Sequence, residues 1–349
     1  MASMATMQDD PRIDPRLKKL FGSRVAAEEP SVSSREELLA EASSPEGVAL
    51  REHAVKVLDT MDDETLAPKD GLDISIVEIE SEPDGNTIRL QVIRPHSDAP
   101  LPCAYVIHGG GMARSSCFDG VFRMWGRLLA HQGLVVVMVE FRNAVVPSTV
   151  AEVAPFPGGL NDCVSGLRWV HAHRDELGID ASRVVVAGES GGGNLTLAVG
   201  MKLARDGDLG LISGLYSMCP YIAGEWPQDR LPSSIQNNGI VINVYGNRGR
   251  MGYGIDAFEA RDPLAWPLFA TEDDVAGLPP TVISVNECDP LRDEGIEFYR
   301  LLIRAGVAAR CHQNMGAVHG TELLAVACPD ISLETAASIA RFCRDSAVP

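Results

Sequence analysis

Arg183-Val184-Val185-Val186-Ala187-Gly188-Glu189-Ser190-Gly191-Gly192-Gly193-Asn194-Leu195-Thr196-Leu197-Ala198 carries the reading of this chain. An apolar, β-branched run enters a turn of the form Gly-x-Ser-x-Gly, and a helix-forming run leaves it. A serine at the apex of so tight a turn leaves no room for side chains at the flanking positions, which accounts for Gly188 and Gly192. The helix that follows aims its first backbone N–H groups at any anion formed beside the hydroxyl. The context predicts a nucleophilic serine at Ser190 rather than a plain glycine turn.

Outward from this stretch, short apolar strands alternate with longer helical segments. Strands are expected at Cys103–Ile107, Leu134–Phe141, Arg183–Ala187, Leu215–Met218 and Thr281–Val285, with a last one near Ala309–Gln313. Helices are expected at about 119–132, 160–177, 192–205, 294–305 and 332–345. Continuously apolar strands such as Leu134–Val139 require a sheet covered on both faces, and the alternation implies right-handed crossovers and parallel pairing. The fold class is α/β. Ahead of these elements, Ile74, Ile76 and Ile79 and then Ile88, Leu90 and Val92 alternate on either side of Pro83-Asp84-Gly85-Asn86, the pattern of an antiparallel hairpin. Two regions break the rhythm. The first 70 residues are polar, with helix-like stretches at 35–42 and 47–61, and the segment from Tyr221 to Phe269 is too long and too rich in Gly, Pro and aromatics to be a plain connection.

The 349 residues carry a formal charge of −18, with no Lys/Arg run to offset it, which argues against nucleic-acid or anionic-membrane partners. No apolar run approaches the roughly 20 residues that span a bilayer. Met1–Asp10 lacks a basic segment followed by an apolar one, so no signal peptide is expected. The eight cysteines form no CxxC pair and lie mostly in apolar text, the pattern of buried thiols in a reducing compartment. The expectation is a soluble, cytoplasmic protein.

A serine hydroxyl needs a base, and the base a carboxylate to orient it. Of the eight histidines, His319 stands in a loop right after the last strand, where parallel sheets hold ligands, whereas His312 lies within that strand. The carboxylate is sought after strand 281–285, among Glu287, Asp289, Asp293 and Glu294. Composition does not choose among them. Asp293 and Glu294 suit the start of a helix for dipole reasons alone, and Asp289 has the best position at the strand's edge. His108-Gly109-Gly110-Gly111, directly after strand 103–107, can bring bare amides close to a developing oxyanion, with His108 as a brace for that loop. Glu189 reads as a carboxylate held by neighbouring hydrogen bonds. The aromatics Trp226, Tyr245, Tyr253 and Trp266 line a substrate pocket or fill a core of their own.

Taken together, His108–Gly111, Gly188–Leu195, Asp289-Pro290-Leu291-Arg292-Asp293-Glu294-Gly295 and His319-Gly320 resemble the hormone-sensitive-lipase family of α/β-hydrolases. Glu140-Phe141-Arg142-Asn143-Ala144, Asp262–Pro267 and Asn286-Glu287 are similar to its brefeldin A esterase-like bacterial carboxylesterases. The resemblance implies an eight-stranded, mostly parallel sheet with helices on both faces. Over it would lie a helical cap from residues 1–70 and 221–270, the catalytic core being 71–220 and 271–349. It implies Ser190 as nucleophile, His319 as base and Asp289 as the orienting carboxylate, with oxyanion donors from Gly110, Gly111 and Gly191. Gly191 and Glu189 stand where many relatives carry Ala and Asp, substitutions that relatives tolerate. The implied activity is serine carboxylesterase on short- to medium-chain acyl esters or lactones of small molecules, with no metal or organic cofactor and an assembly that could be a homodimer. Two other readings use the same pocket. One is an amidase or lipid-ester hydrolase; the other is a non-catalytic receptor, which the retained His319 disfavours.

Overall fold

Strand β4 (Val135–Glu140) shows how the sheet is built: every residue is buried, but Val135, Val137 and Val139 face one core while Val136 and Met138 face the other. The same split divides Cys103, Tyr105 and Ile107 from Ala104 and Val106 in β3 (Leu101–Ile107), because successive side chains leave a strand on opposite faces. Each fully buried aliphatic side chain contributes about 1.5–3 kcal/mol relative to exposure, so these runs hold the sheet between two helical layers. The computed structural model describes residues 7–23 and 25–347. Most of the stretch read for a targeting signal, residues 1–6, lies outside them.

With β1 (Leu72–Ser81), β2 (Asn86–Pro95), β5 (Ile179–Glu189), β6 (Gly214–Met218), β7 (Thr281–Asn286) and β8 (Ala309–Asn314), the order is β1-β2-β4-β3-β5-β6-β7-β8. The first three strands in this order pair antiparallel and the rest parallel. Helices Gly158–Ala172, Gly191–Asp206 and Arg292–Arg304 cover one face, and Gly120–Ala130 and Pro329–Asp345 the other. The expected hairpin forms with Ile79 opposite Ile88, but Ile74 and Ile76 are exposed because β1 is the sheet's outermost strand.

Three N-terminal helices take separate places. Helix Pro15–Phe21 buries Leu17 in a small apolar cluster with Val318, Leu324 and Cys328. Helix Arg35–Ser43 meets helix Arg248–Glu259 of the Tyr221–Phe269 insertion, where Arg35 donates to the carbonyls of Gly252 and Ala144. Helix Pro45–Asp59 buries none of its residues and docks at the start of helix Gly120–Ala130, where Asp59 and Asp62 receive Arg123. Among the described residues no helix is long and apolar enough to cross a membrane. None of the eight cysteines is in a disulfide; seven are buried and Cys311 is half-buried.

Candidate active site

The parallel strands deliver their chemistry at one edge, since β3, β5, β7 and β8 end just before His108, Ser190, Asp289 and His319 respectively. At the elbow, Ser190 has φ +57° and ψ −115°, outside the usual regions for a side-chain-bearing residue. Such a conformation costs about 1–3 kcal/mol and is offset by its surroundings. Ser190 N–H donates to Met218 O at 2.9 Å, and Ser190 O accepts from Asn194 and Tyr221. A Cβ at Gly192 would lie 2.6 Å from His108 O, and one at Gly188 2.5 Å from the Gly192 carbonyl carbon, so the chain has no space for either.

His319 Nε2 lies 2.9 Å from Ser190 Oγ, and Nδ1 lies 2.8 Å from Asp289 Oδ2. Asp289 is fully buried, and its Oδ1 accepts from Leu291 N–H at 2.8 Å. Of the four carboxylates considered after β7, Asp289 is the one that reaches the imidazole. Glu287 instead accepts from Gly316 N–H at 2.8 Å, tying down the loop that bears His319. Asp293 holds Ser233 N–H at 2.7 Å. Glu294 does more than favour a helix start: wholly buried, it accepts from Ile222 N–H (2.6 Å), Ala223 N–H (3.1 Å) and Trp226 Nε1 (2.6 Å), gripping the beginning of the insertion.

The His108–Gly111 loop presses on the elbow. Gly110 and Gly111 have φ +106° and +63°. A Cβ at Gly191 would stand 2.7 Å from Gly111 N and 2.5 Å from Met112 N, so an alanine there would need the loop to move. His108 braces the loop through Nδ1 to Gly109 O at 2.8 Å and by stacking on Phe141 with ring centroids 4.3 Å apart. Glu140 and Asn143 hold the loop's far side: Glu140 accepts from Cys117 N–H and Thr149 N–H, and Asn143 donates to Ser115 O.

Electrostatically the site is acidic. Burial lowers the affinity of His319 for a proton, but the charge and hydrogen bond of Asp289, with Glu189 and Glu322 behind it, more than offset this and raise its pKa to about 9. Burial pushes Glu189 up to about 7. Its Oε1 lies 3.5 Å from His319 Nε2 and 3.7 Å from Cys219 Sγ, and its Oε2 packs against Gly109, where a Cβ would collide with it. Trp226, Tyr253 and Trp266 of the insertion are buried among other rings and form a core, against which Tyr245 is only partly buried. Tyr221 stacks on Trp226 at 4.6 Å, and Trp266 meets Tyr253 and Phe258 edge-on. Sequence reading missed the anchoring role of Glu294, and missed Asn237, which is fully buried and donates to Glu287 O and Asp289 O. Neither stands at a spacing that marks it.

The model of a family described by its α/β-hydrolase fold matches residues 104–323. The chain belongs to that family. Carboxylesterase NlhH of Mycobacterium tuberculosis is 32% identical over 255 residues, 70% of this chain and 74% of the relative. Among solved structures, esterase Est22 is 60% identical and superposes with a TM-score of 0.93 over 96% of this chain and 98% of its own. Brefeldin A esterase, described as a bacterial homologue of human hormone-sensitive lipase, is 38% identical with a TM-score of 0.87 over 97% and 95%. The protein is accordingly a carboxylic ester hydrolase of the hormone-sensitive-lipase group.

Proposed function

We propose that this carboxylesterase cleaves short- to medium-chain acyl esters or lactones of small molecules in the cytoplasm, through an acyl-enzyme on Ser190. The observation that carries the reading is the unbroken relay from Asp289 through His319 to Ser190, at 2.8 and 2.9 Å. Asp289 holds the imidazole with its Nδ1 proton inward, so Nε2 presents a lone pair to the serine hydroxyl. As Ser190 Oγ attacks the ester carbonyl, its proton passes to Nε2, and the carbonyl oxygen turns toward the amides of Gly110, Gly111 and Gly191. Donors placed in advance cost no reorganisation when charge develops, and each is worth about 3 kcal/mol. His319 then protonates the departing alcohol. Water, deprotonated by the same nitrogen, releases the acid and restores Ser190.

Residues 1–70 with 221–270 serve as the cap over a core of 71–220 with 271–349. The insertion begins at Tyr221, whose N–H is bonded to Ser190 O at 3.1 Å, so its roof starts beside the nucleophile, which favours compact substrates. The buried, unpaired thiols support a reducing compartment. A p-nitrophenyl ester is a fitting probe, since Est22 has been solved with p-nitrophenol. Ser190→Ala should lower p-nitrophenyl acetate or butyrate turnover by at least about 10³-fold with an unchanged circular dichroism spectrum. Turnover retained by the folded variant would overturn the assignment.

A further inference from the structure

One polar neighbour of the nucleophile takes no part in this chemistry. Cys219, at the end of β6, is fully buried and held at φ +34°, a conformation that side-chain-bearing residues rarely adopt. Its Sγ lies 3.7 Å from Glu189 Oε1, the same oxygen lies 3.5 Å from His319 Nε2, and the three ligand-type atoms all fall within 4.8 Å of one another. A thiol, a carboxylate and an imidazole, each buried, thus converge on one point.

We propose that Glu189, Cys219 and His319 form a site for a thiophilic divalent cation such as zinc, and that filling it switches hydrolysis off. Zinc bonds of about 2.0–2.3 Å imply edges of roughly 3.3–3.6 Å between tetrahedral ligands, close to two of the distances here. A thiolate with an imidazole selects zinc or cadmium over magnesium or calcium. Charge also balances: the thiol, and the imidazole Nε2 and carboxylate where they are protonated, give their protons to solvent on binding, so one divalent ion meets one thiolate, one carboxylate and a neutral imidazole, and a neutral unit remains in a dry setting. The Asp289 carboxylate on Nδ1 at 2.8 Å is the arrangement that orients histidine ligands in metal sites. The fourth corner borders Ser190 Oγ, 2.9 Å from Nε2. Coordination occupies the lone pair that would otherwise accept the serine's proton, and the ion sits where an ester must enter.

The full chain, stripped with a chelator and dialysed against zinc chloride, tests the site without reference to any ester. The wild type should bind one zinc per chain, gain thermal stability and, with cobalt substituted, show a thiolate-to-metal charge-transfer band. Zinc should inhibit p-nitrophenyl acetate hydrolysis reversibly, and magnesium should not. Cys219→Ala should weaken zinc binding and inhibition by about 100-fold and lose the charge-transfer band, with Cys219→Ser serving if the alanine variant does not fold. A wild type that binds no zinc, or folded Cys219 variants that bind it as tightly, would overturn the site and leave the esterase reading untouched.

Discussion

The elbow and the insertion lie against each other across Ser190 and are built on opposite plans. At the elbow the constraints are mainly steric: Gly188 and Gly192 abut backbone atoms contributed by the elbow itself and by Ile107 and His108, and the strand and helix that flank Ser190 are adjacent in sequence. The insertion is held by polar contacts from distant parts of the chain. Glu294 grips its start, Asn237 joins it to the backbone beside Asp289, and Asn247 exchanges two hydrogen bonds with Val32. The elbow should therefore fail abruptly when disturbed, whereas the insertion should loosen by degrees.

Four measurements can break or sharpen that contrast. Gly192→Ala forces a Cβ against the Ile107 and His108 carbonyls, so esterase activity should vanish with a loss of stability of about 3 kcal/mol or more; an active variant of ordinary melting temperature would show that the elbow yields. Asp289→Asn keeps the shape of the side chain but supports the wrong imidazole tautomer, and kcat should drop about 10³–10⁴-fold with little change in KM.

The third concerns pH. His319, raised to about 9, is stabilised as the cation in the fold. Its contribution to stability is full below its unfolded pKa of about 6.5 and is lost as pH rises through its folded value. The neutral form is the base, so kcat/KM should climb roughly tenfold per pH unit below that value, and Glu189→Gln should move the limb downward. A limb at the ordinary imidazole value would mean that the surrounding carboxylates leave the base unperturbed.

The remaining test sits on the insertion. Glu294→Ala strands the Ile222, Ala223 and Trp226 donors and should cost about 3 kcal/mol, with KM raised more than kcat is lowered. By contrast Arg248→Ala, which removes partly exposed pairs with Glu29 and Glu41, should cost about 0.5–1 kcal/mol. Equal losses by thermal or urea unfolding would contradict a graded attachment of the insertion.

These contrasts also mark how far the chain could be read. Strands β3, β4 and β5 are legible because their apolar runs answer to a sheet buried on both faces, a requirement that neighbouring residues meet by themselves. Ser190 and the His108–Gly111 loop are legible because tight turns demand glycine at set positions. The outer half of β1 is misleading: Ile74 and Ile76 alternate as buried residues do, yet both side chains are exposed. Trp226, Tyr253 and Trp266 are ambiguous in sequence, since an aromatic suits a pocket and a core equally, and only their mutual packing separates the two.

What the sequence determined by itself is the α/β order, the elbow, and a short list of groups able to serve it. Periodicity and turn sterics act over a few residues, so they are written into neighbouring positions. Tertiary structure alone put Asp289, already favoured by its position, within reach of the imidazole, turned Glu294 from a helix-start residue into the anchor of the insertion, and brought Cys219 and Glu189 to the same imidazole. Those outcomes depend on distances between segments remote in sequence, and no local preference of the chain encodes such a distance.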